Sequence, residues 1–199
     1  MKIYLVDDNE KVLQTLELVF ETAGFEVRAF TSPAAFLETK LDPEDSAILL
    51  DLRMPEISGL EVLKALKEQG HHIPVIIYSS HADVEATVQA FSDGAFTLIQ
   101  KPISNNLLID KVKHAIRQAS LNKKIVSEKA HAKLLIEKLS RREFEIAQFL
   151  AKGESAPKIA MKIHLSPRTV ETHRNNIFRK LEVNSTAEVA RLFTLLEMH

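Results

Sequence analysis

Asp7, Asp8, Asp51, Ser79 and Lys101 have the side-chain types for phosphoryl chemistry. Carboxylates drawn together repel one another unless a cation lies between them. Mg2+ takes hard oxygen ligands and keeps several of its waters, so it suits a site built from two or three carboxylates. A lysine beside them neutralises charge on a transferred group, and a hydroxyl can hydrogen-bond it. Such a set serves transfer of a phosphoryl group onto a carboxylate, where catalysis is mostly positioning and electrostatics. Taken singly, each residue also has an ordinary reading, since an Asp at a strand end commonly caps a helix or occupies a turn.

The elements that carry these residues make them a set. Apolar and β-branched runs at residues 2–7, 26–30, 46–51, 74–79 and 95–100 predict strands. The third and fourth are almost continuously apolar, as central parallel strands covered on both faces are. Between the runs, apolar residues three and four apart predict helices, as with Val12, Leu16, Val19 and Phe20, or Leu60, Leu63 and Leu66. Ser32-Pro33 and Ser58 mark helix starts, and Gly24 and Gly70 mark stops. Strict alternation predicts a doubly wound α/β fold, a flavodoxin-like five-stranded parallel sheet. Right-handed crossovers then gather the strand C-termini, with all five residues, at one edge.

Over residues 1–120 the chain resembles a response-regulator receiver domain. The residues that carry the resemblance are Asp7-Asp8, Asp51-x-x-Met54-Pro55-x-x-x-Gly59, Ser79 and Lys101-Pro102. The resemblance implies that Asp51 accepts phosphate from the phosphohistidine of a sensor histidine kinase. It implies that Asp7, Asp8, Asp51 and the main-chain carbonyl of Arg53 hold Mg2+. Lys101 would then pair with the phosphoryl group, and Ser79 would move to hydrogen-bond it. Leu98 stands where the family usually has a Tyr or Phe switch residue. Phe96, two residues earlier on a period-two strand, is a candidate substitute on the same side. Arg53 and His81 are candidates to flank the phosphoryl group and set its lifetime; the alternative is that both are solvent-facing loop residues.

Charge divides the chain. Residues 1–120 carry 11 basic and 18 acidic side chains, whereas residues 121–199 carry 15 basic and 9 acidic, within an overall −1. A basic second half suggests a nucleic-acid partner, or simply a solvated basic surface. Its pattern is all helical. Ser140 to Glu143 forms a capping box, Pro157 sits in a first turn, Ser166-Pro167 opens another helix, and Ser185 opens the last. Neither Pro nor Gly lies between Pro102 and Gly153, so a continuous helix over residues 105–137, about 50 Å long, can join the halves. Ile109, Val112, Ile116, Ala119, Val126 and Ala130 give it a 3–4 pattern that fits a dimer seam. Lys123 and Lys133 at seam positions favour a mobile or partly helical linker instead.

From Leu139 the sequence resembles a LuxR-type helix-turn-helix, the output domain of response regulators of the FixJ/NarL type. Helices over residues 156–163 and 167–181 flank the turn His164-Leu165-Ser166. Ile159, Ala160, Ile163, Leu165, Val170, Ile177 and Leu181 supply the apolar contacts. Arg168, Thr169, Glu171, Thr172, Arg174, Asn175, Arg179 and Lys180 are left as outward, DNA-facing candidates. By the resemblance Glu171, Thr172 and Asn175 take base-reading positions in the major groove. Arg168, Arg174, Arg179 and Lys180 suit phosphate contacts. Ala156-Pro157 replaces an Asn-Lys pair common at the first helix's start, which removes one phosphate contact. His173 reads as a hydrogen-bonded structural histidine, and the stripe Val189, Leu192, Phe193 and Leu196 as core or as a DNA-bound dimer interface.

The expected organisation is a receiver over residues 1–120, a helical linker over 121–138 and a DNA-binding domain over 139–199. Such a regulator catalyses only its own phosphoryl transfer and dephosphorylation, dimerises on phosphorylation and binds double-stranded promoter DNA. The absence of Cys, of an apolar run near 20 residues and of a signal peptide points to a cytoplasmic protein with no membrane partner. Two other classes remain. A DNA-binding protein with an unphosphorylated receiver-shaped module would take up no phosphoryl group. A phosphohydrolase using an aspartyl-phosphate would carry its nucleophile after the first strand and need a substrate cap, for which there is no insertion.

Overall fold

Alternate residues of each central strand leave the sheet on opposite sides, and this decides where the helices go. A computed structural model describes residues 1–80 and 83–197. The strands are β1 (Lys2–Val6), β2 (Glu26–Phe30), β3 (Ser46–Leu50), β4 (Val75–Ser79) and β5 (Thr97–Gln100). All pair in parallel, in the order β2-β1-β3-β4-β5. Tyr4, Val6, Ile48, Leu50, Val75 and Ile77 enter one core, beneath α2 (Pro33–Leu37), α3 (Gly59–Glu68) and α4 (Val84–Ser92). Ile3, Leu5, Ala47, Leu49 and Ile76 enter the other, beneath α1 (Glu10–Thr22) and the start of α5 (Asn105–Glu137). Each fully buried aliphatic or aromatic side chain is worth about 1.5–3 kcal/mol relative to exposure, so both faces must be covered.

The punctuation read from the sequence is present. Asn9, Ser32 and Ser58 cap α1, α2 and α3 with their side chains, and Ser58 and Glu61 form a capping box. Gly24 and Gly70 have φ of 85° and 72°, which a Cβ disfavours.

The chain forms two compact units, Met1–Asn122 and Lys123–His199. The second contains α6 (Arg141–Ala151), α7 (Ala156–Lys162), α8 (Pro167–Leu181) and α9 (Thr186–Glu197) around its own core. Ser140 and Glu143 form the capping box of α6, and Pro157 and Pro167 stand in the first turns of α7 and α8. Val189 of α9 is buried, while Leu192 and Phe193 pack against the same core and Leu196 is exposed. Among the described residues no helix is long and apolar enough to cross a membrane.

One expectation changes. In α5, Val112 and Ile116 are buried against the sheet with Leu108 and Ala115, and Ile109 packs on the same core. The first half of the 3–4 pattern is therefore spent inside the first unit and does not form a seam between chains. Past the sheet, Leu121, Ile125 and Val126 are exposed, as are Leu107 near the start of α5 and Leu134 near its end. Leu108→Ala should cost the first unit about 2–5 kcal/mol by denaturant unfolding, whereas Val126→Ala should stay within about 0.5 kcal/mol.

Candidate functional site

The strand order puts β1 beside β3, so the residues that follow them meet at the point where the winding direction reverses. Asp7 follows β1, and its carboxylate accepts from the Asn9 N–H at 2.9 Å. Asp51 follows β3; its N–H donates to the Val6 carbonyl, and its carboxylate accepts from the Arg53 N–H at 2.7 Å. Both aspartates are buried, while Asp8 and the Arg53 side chain are exposed. Gly59 closes the loop after Asp51 by donating its N–H to the Leu52 carbonyl. A Cβ there would lie 2.1 Å from the Asp51 carbonyl oxygen, so only glycine lets the start of α3 come so near.

Lys101 follows β5 and reaches back across the end of β4. Its ammonium lies 2.6 Å from Asp7 and 2.9 Å from Asp51, with 16% of the side chain exposed. Burial disfavours the ammonium, but its hydrogen bonds to Asp7 and Asp51 and their charge outweigh that, raising Lys101 above its ordinary pKa. Asp7, Asp51 and Lys101 are thus brought into direct contact. Ser79 is buried at the end of β4, and its hydroxyl is bonded to neither Asp51 nor Lys101 among the described residues. His81 lies outside the described residues.

Among the described residues, no three His, Cys, Asp or Glu side chains come together so as to hold a metal ion by themselves. The donors that the receiver resemblance names are the two buried carboxylates of Asp7 and Asp51, the exposed one of Asp8 and the Arg53 carbonyl. This all-oxygen set, open on the Asp8 side, fits an ion that retains part of its water shell, as Mg2+ does.

The candidate substitute for the aromatic switch fails. Phe96 precedes β5 and packs with the α1 and α5 core, its ring 6.0 Å from that of His114. Leu98 packs into the opposite core, beneath α4. The period-two argument required the strand to include Phe96, but β5 begins at Thr97.

In the helical unit, the turn before α8 passes through His164 with φ of 54°. Ser166 caps α8 by accepting from the Thr169 N–H at 3.0 Å. Val170, Ile177 and Leu181 are buried, which leaves Arg168, Glu171, Thr172, Asn175 and Arg179 on one exposed stripe. Thr169 and Arg174 are half-buried; Arg174 pairs with Glu171 at 3.3 Å, and Arg179 donates to Asn176 at 3.3 Å. Lys180 departs from the expectation of a free phosphate contact. Its ammonium lies 2.6 Å from the buried Glu143 carboxylate and holds α8 against α6. His173 also departs, because its buried Nδ1 has no hydrogen-bond partner.

Two residues escaped the sequence reading. Arg142 donates to the Ile163 carbonyl at the end of α7 at 2.6 Å, and to Glu145 at 2.6 Å, tying α6 to the turn before α8. Only its i,i+3 spacing from Glu145 was visible beforehand. Local spacing shows Glu143 only as a capping-box partner, and nothing in it announces an ion pair 37 residues away.

Comparison with known proteins accords with this geometry. The family model for the response regulator receiver domain matches residues 3–113, and that for bacterial regulatory proteins of the luxR family matches residues 137–193. The chain is 34% identical to response regulator protein TmoT of Ectopseudomonas mendocina, over 96% of this chain and 86% of that protein. It is 32% identical to transcriptional regulatory protein FixJ of Azorhizobium caulinodans, over 98% and 92% of the two chains. Among solved structures, response regulator StyR matches with a TM-score of 0.76 at 29% identity, covering 97% of this chain and 98% of that one. Full-length FixJ from B. japonicum matches at 0.63 and 32%, covering 100% and 98%.

The Glu143–Lys180 pair predicts an acid transition. Burial alone would raise the Glu143 carboxyl, but the Lys180 ammonium and the Ser140 N–H and hydroxyl hold it down to about 2. A carboxyl lowered in the folded state stabilises fully above its ordinary value of 4.5 and loses that contribution as pH falls toward 2. Glu143→Gln should flatten the stability profile over that window and cost about 1–3 kcal/mol at neutral pH, measured by denaturant unfolding.

Proposed function

The chain belongs to the transcriptional response regulators of two-component systems, with a receiver domain and a LuxR-type DNA-binding domain, and from that membership we propose how it works. Asp51 accepts a phosphoryl group from a sensor histidine kinase. The observation that carries this reading is the Lys101 ammonium within hydrogen-bond distance of Asp51 and Asp7 at the C-terminal edge of the sheet. An Asp51 carboxylate held by a cation and by the Arg53 N–H is fixed in orientation for in-line attack on phosphorus.

Receiver domains are generally Mg2+-dependent, and here Asp7, Asp8, Asp51 and the Arg53 carbonyl would hold the ion. Bound there, Mg2+ supplies charge neutralisation on the transferred group. Lys101 supplies the same on its other side, and the Ser79 hydroxyl moves to donate to it. With Leu98 at the usual aromatic position, the change at Ser79 is read through the backbone of α4 and β5. The receiver so described spans residues 1–120, the linker 121–138 and the output domain 139–199. Its only catalysis is its own phosphoryl transfer and dephosphorylation, carried out in the cytoplasm.

Phosphorylation shifts a pre-existing equilibrium of the receiver toward a form that pairs. Two output domains then read a two-fold promoter site. Glu171, Thr172 and Asn175 reach base edges, and Arg168, Thr169, Arg174 and Arg179 contact or approach the backbone. Lys180 contributes through Glu143, by fixing α8.

Sedimentation of the full chain in Mg2+, with and without beryllofluoride as phosphoryl mimic, tests the switch. The mimic should convert monomer to dimer in the parent chain and leave Asp51→Asn unchanged. A parent chain that keeps one oligomeric state throughout would refute control through dimerisation.

A further inference from the structure

Lys101 has a neighbour that the reaction as described does not use. The Tyr78 ring lies with its centroid 4.9 Å from the Lys101 ammonium. Tyr78 precedes Ser79 at the end of β4, the strand between those that deliver Asp51 and Lys101. Its ring packs on the α1 and α5 side and lines one small space with Asp7, Asp51, Leu13 and Leu16. Its hydroxyl makes no hydrogen bond among the described residues, so what Tyr78 offers this site is its ring. We propose that Tyr78 is a positioning residue for phosphoryl transfer: its ring seats the Lys101 ammonium between Asp7 and Asp51.

An ammonium has three donors, and two of them go to Asp7 and Asp51. A carboxylate or carbonyl at the third position would fix the lysine in a closed set of strong bonds. An aromatic face attracts the cation without accepting such a bond, and does so most strongly where water is excluded. The ring therefore holds the four-carbon stem in one place and leaves the ammonium free to exchange a carboxylate oxygen for a phosphoryl oxygen. It also blocks the other rotamers of a long side chain that would otherwise carry the charge into solvent.

The inference rests on Asp51 as phosphoryl acceptor, so the experiment separates the two. First, the ε-methylene protons of Lys101 should show a ring-current upfield shift in NMR spectra of the full chain. The shift should persist in Tyr78→Phe and vanish in Tyr78→Leu. Second, phosphoryl uptake from acetyl phosphate in Mg2+ should fall roughly three- to tenfold in Tyr78→Leu and recover in Tyr78→Phe. Third, adding Tyr78→Leu to Lys101→Met should cost no further rate, because the ring acts through the lysine. Circular dichroism of each variant confirms that it is folded. A missing ring-current shift would overturn the seat, and so would an equal rate loss from Tyr78→Leu with and without Lys101. Should the parent chain take up no phosphoryl group at all, the reading of Asp51 falls, and the ring-current shift alone decides whether the ring seats the lysine.

Discussion

Two buried carboxylates that share one ammonium are the interaction on which the first unit's chemistry depends. Asp7 and Asp51 follow adjacent strands, and two buried carboxylates at neighbouring strand ends need a cationic partner. Lys101 supplies it from β5, two strands from β3. Strands lie about 4.8 Å apart, so roughly 10 Å separates β3 from β5 across the end of β4, a gap that the lysine stem closes together with the aspartate side chains and the hydrogen bonds between them. A shorter basic side chain would not reach, and the parallel order β1-β3-β4-β5 is what makes the reach possible.

The rest of that unit keeps this edge in register. Alternate burial on two faces fixes which residues leave the sheet upward or downward, and a one-residue slip in β3 would turn Asp51 away from β1. Gly59 lets the start of α3 close against the Asp51 backbone, where any Cβ would collide with the carbonyl. The helical unit relies on a comparable device. Glu143 is buried, caps its own helix and holds Lys180, so the inner side of α8 is anchored by charge as well as by Val170, Ile177 and Leu181. Arg168, Glu171, Thr172, Asn175 and Arg179 remain on the outward side of α8.

The strands were legible because burial on two faces writes itself as apolar runs, and the helix starts because Ser32, Ser58, Ser140 and Ser166 carry their signals locally. Asp7, Asp51 and Lys101 were legible because each directly follows a strand. Features set by tertiary neighbours were not. Phe96 and Leu98 share a parity but not a face, since the strand starts between them. The apolar pattern of α5 serves a core in Val112 and Ile116 and solvent in Val126, a change that periodicity alone does not record. Lys180 read as one more outward cation, although its position also faces Glu143 of another helix. Tyr78 read as one more residue of an apolar strand, and only the return of Lys101 over it shows what the ring adjoins.

The decisive measurement is to locate the phosphoryl group chemically. The full chain is incubated with acetyl phosphate in Mg2+, trapped by borohydride reduction of the acyl phosphate, and mapped by peptide mass spectrometry. Reduction is expected at Asp51, with Asp7 and Asp8 untouched, and at a much slower but measurable rate in Lys101→Met. Reduction at Asp7 or Asp8, or an Asp51 that reacts equally well without Lys101, would contradict this.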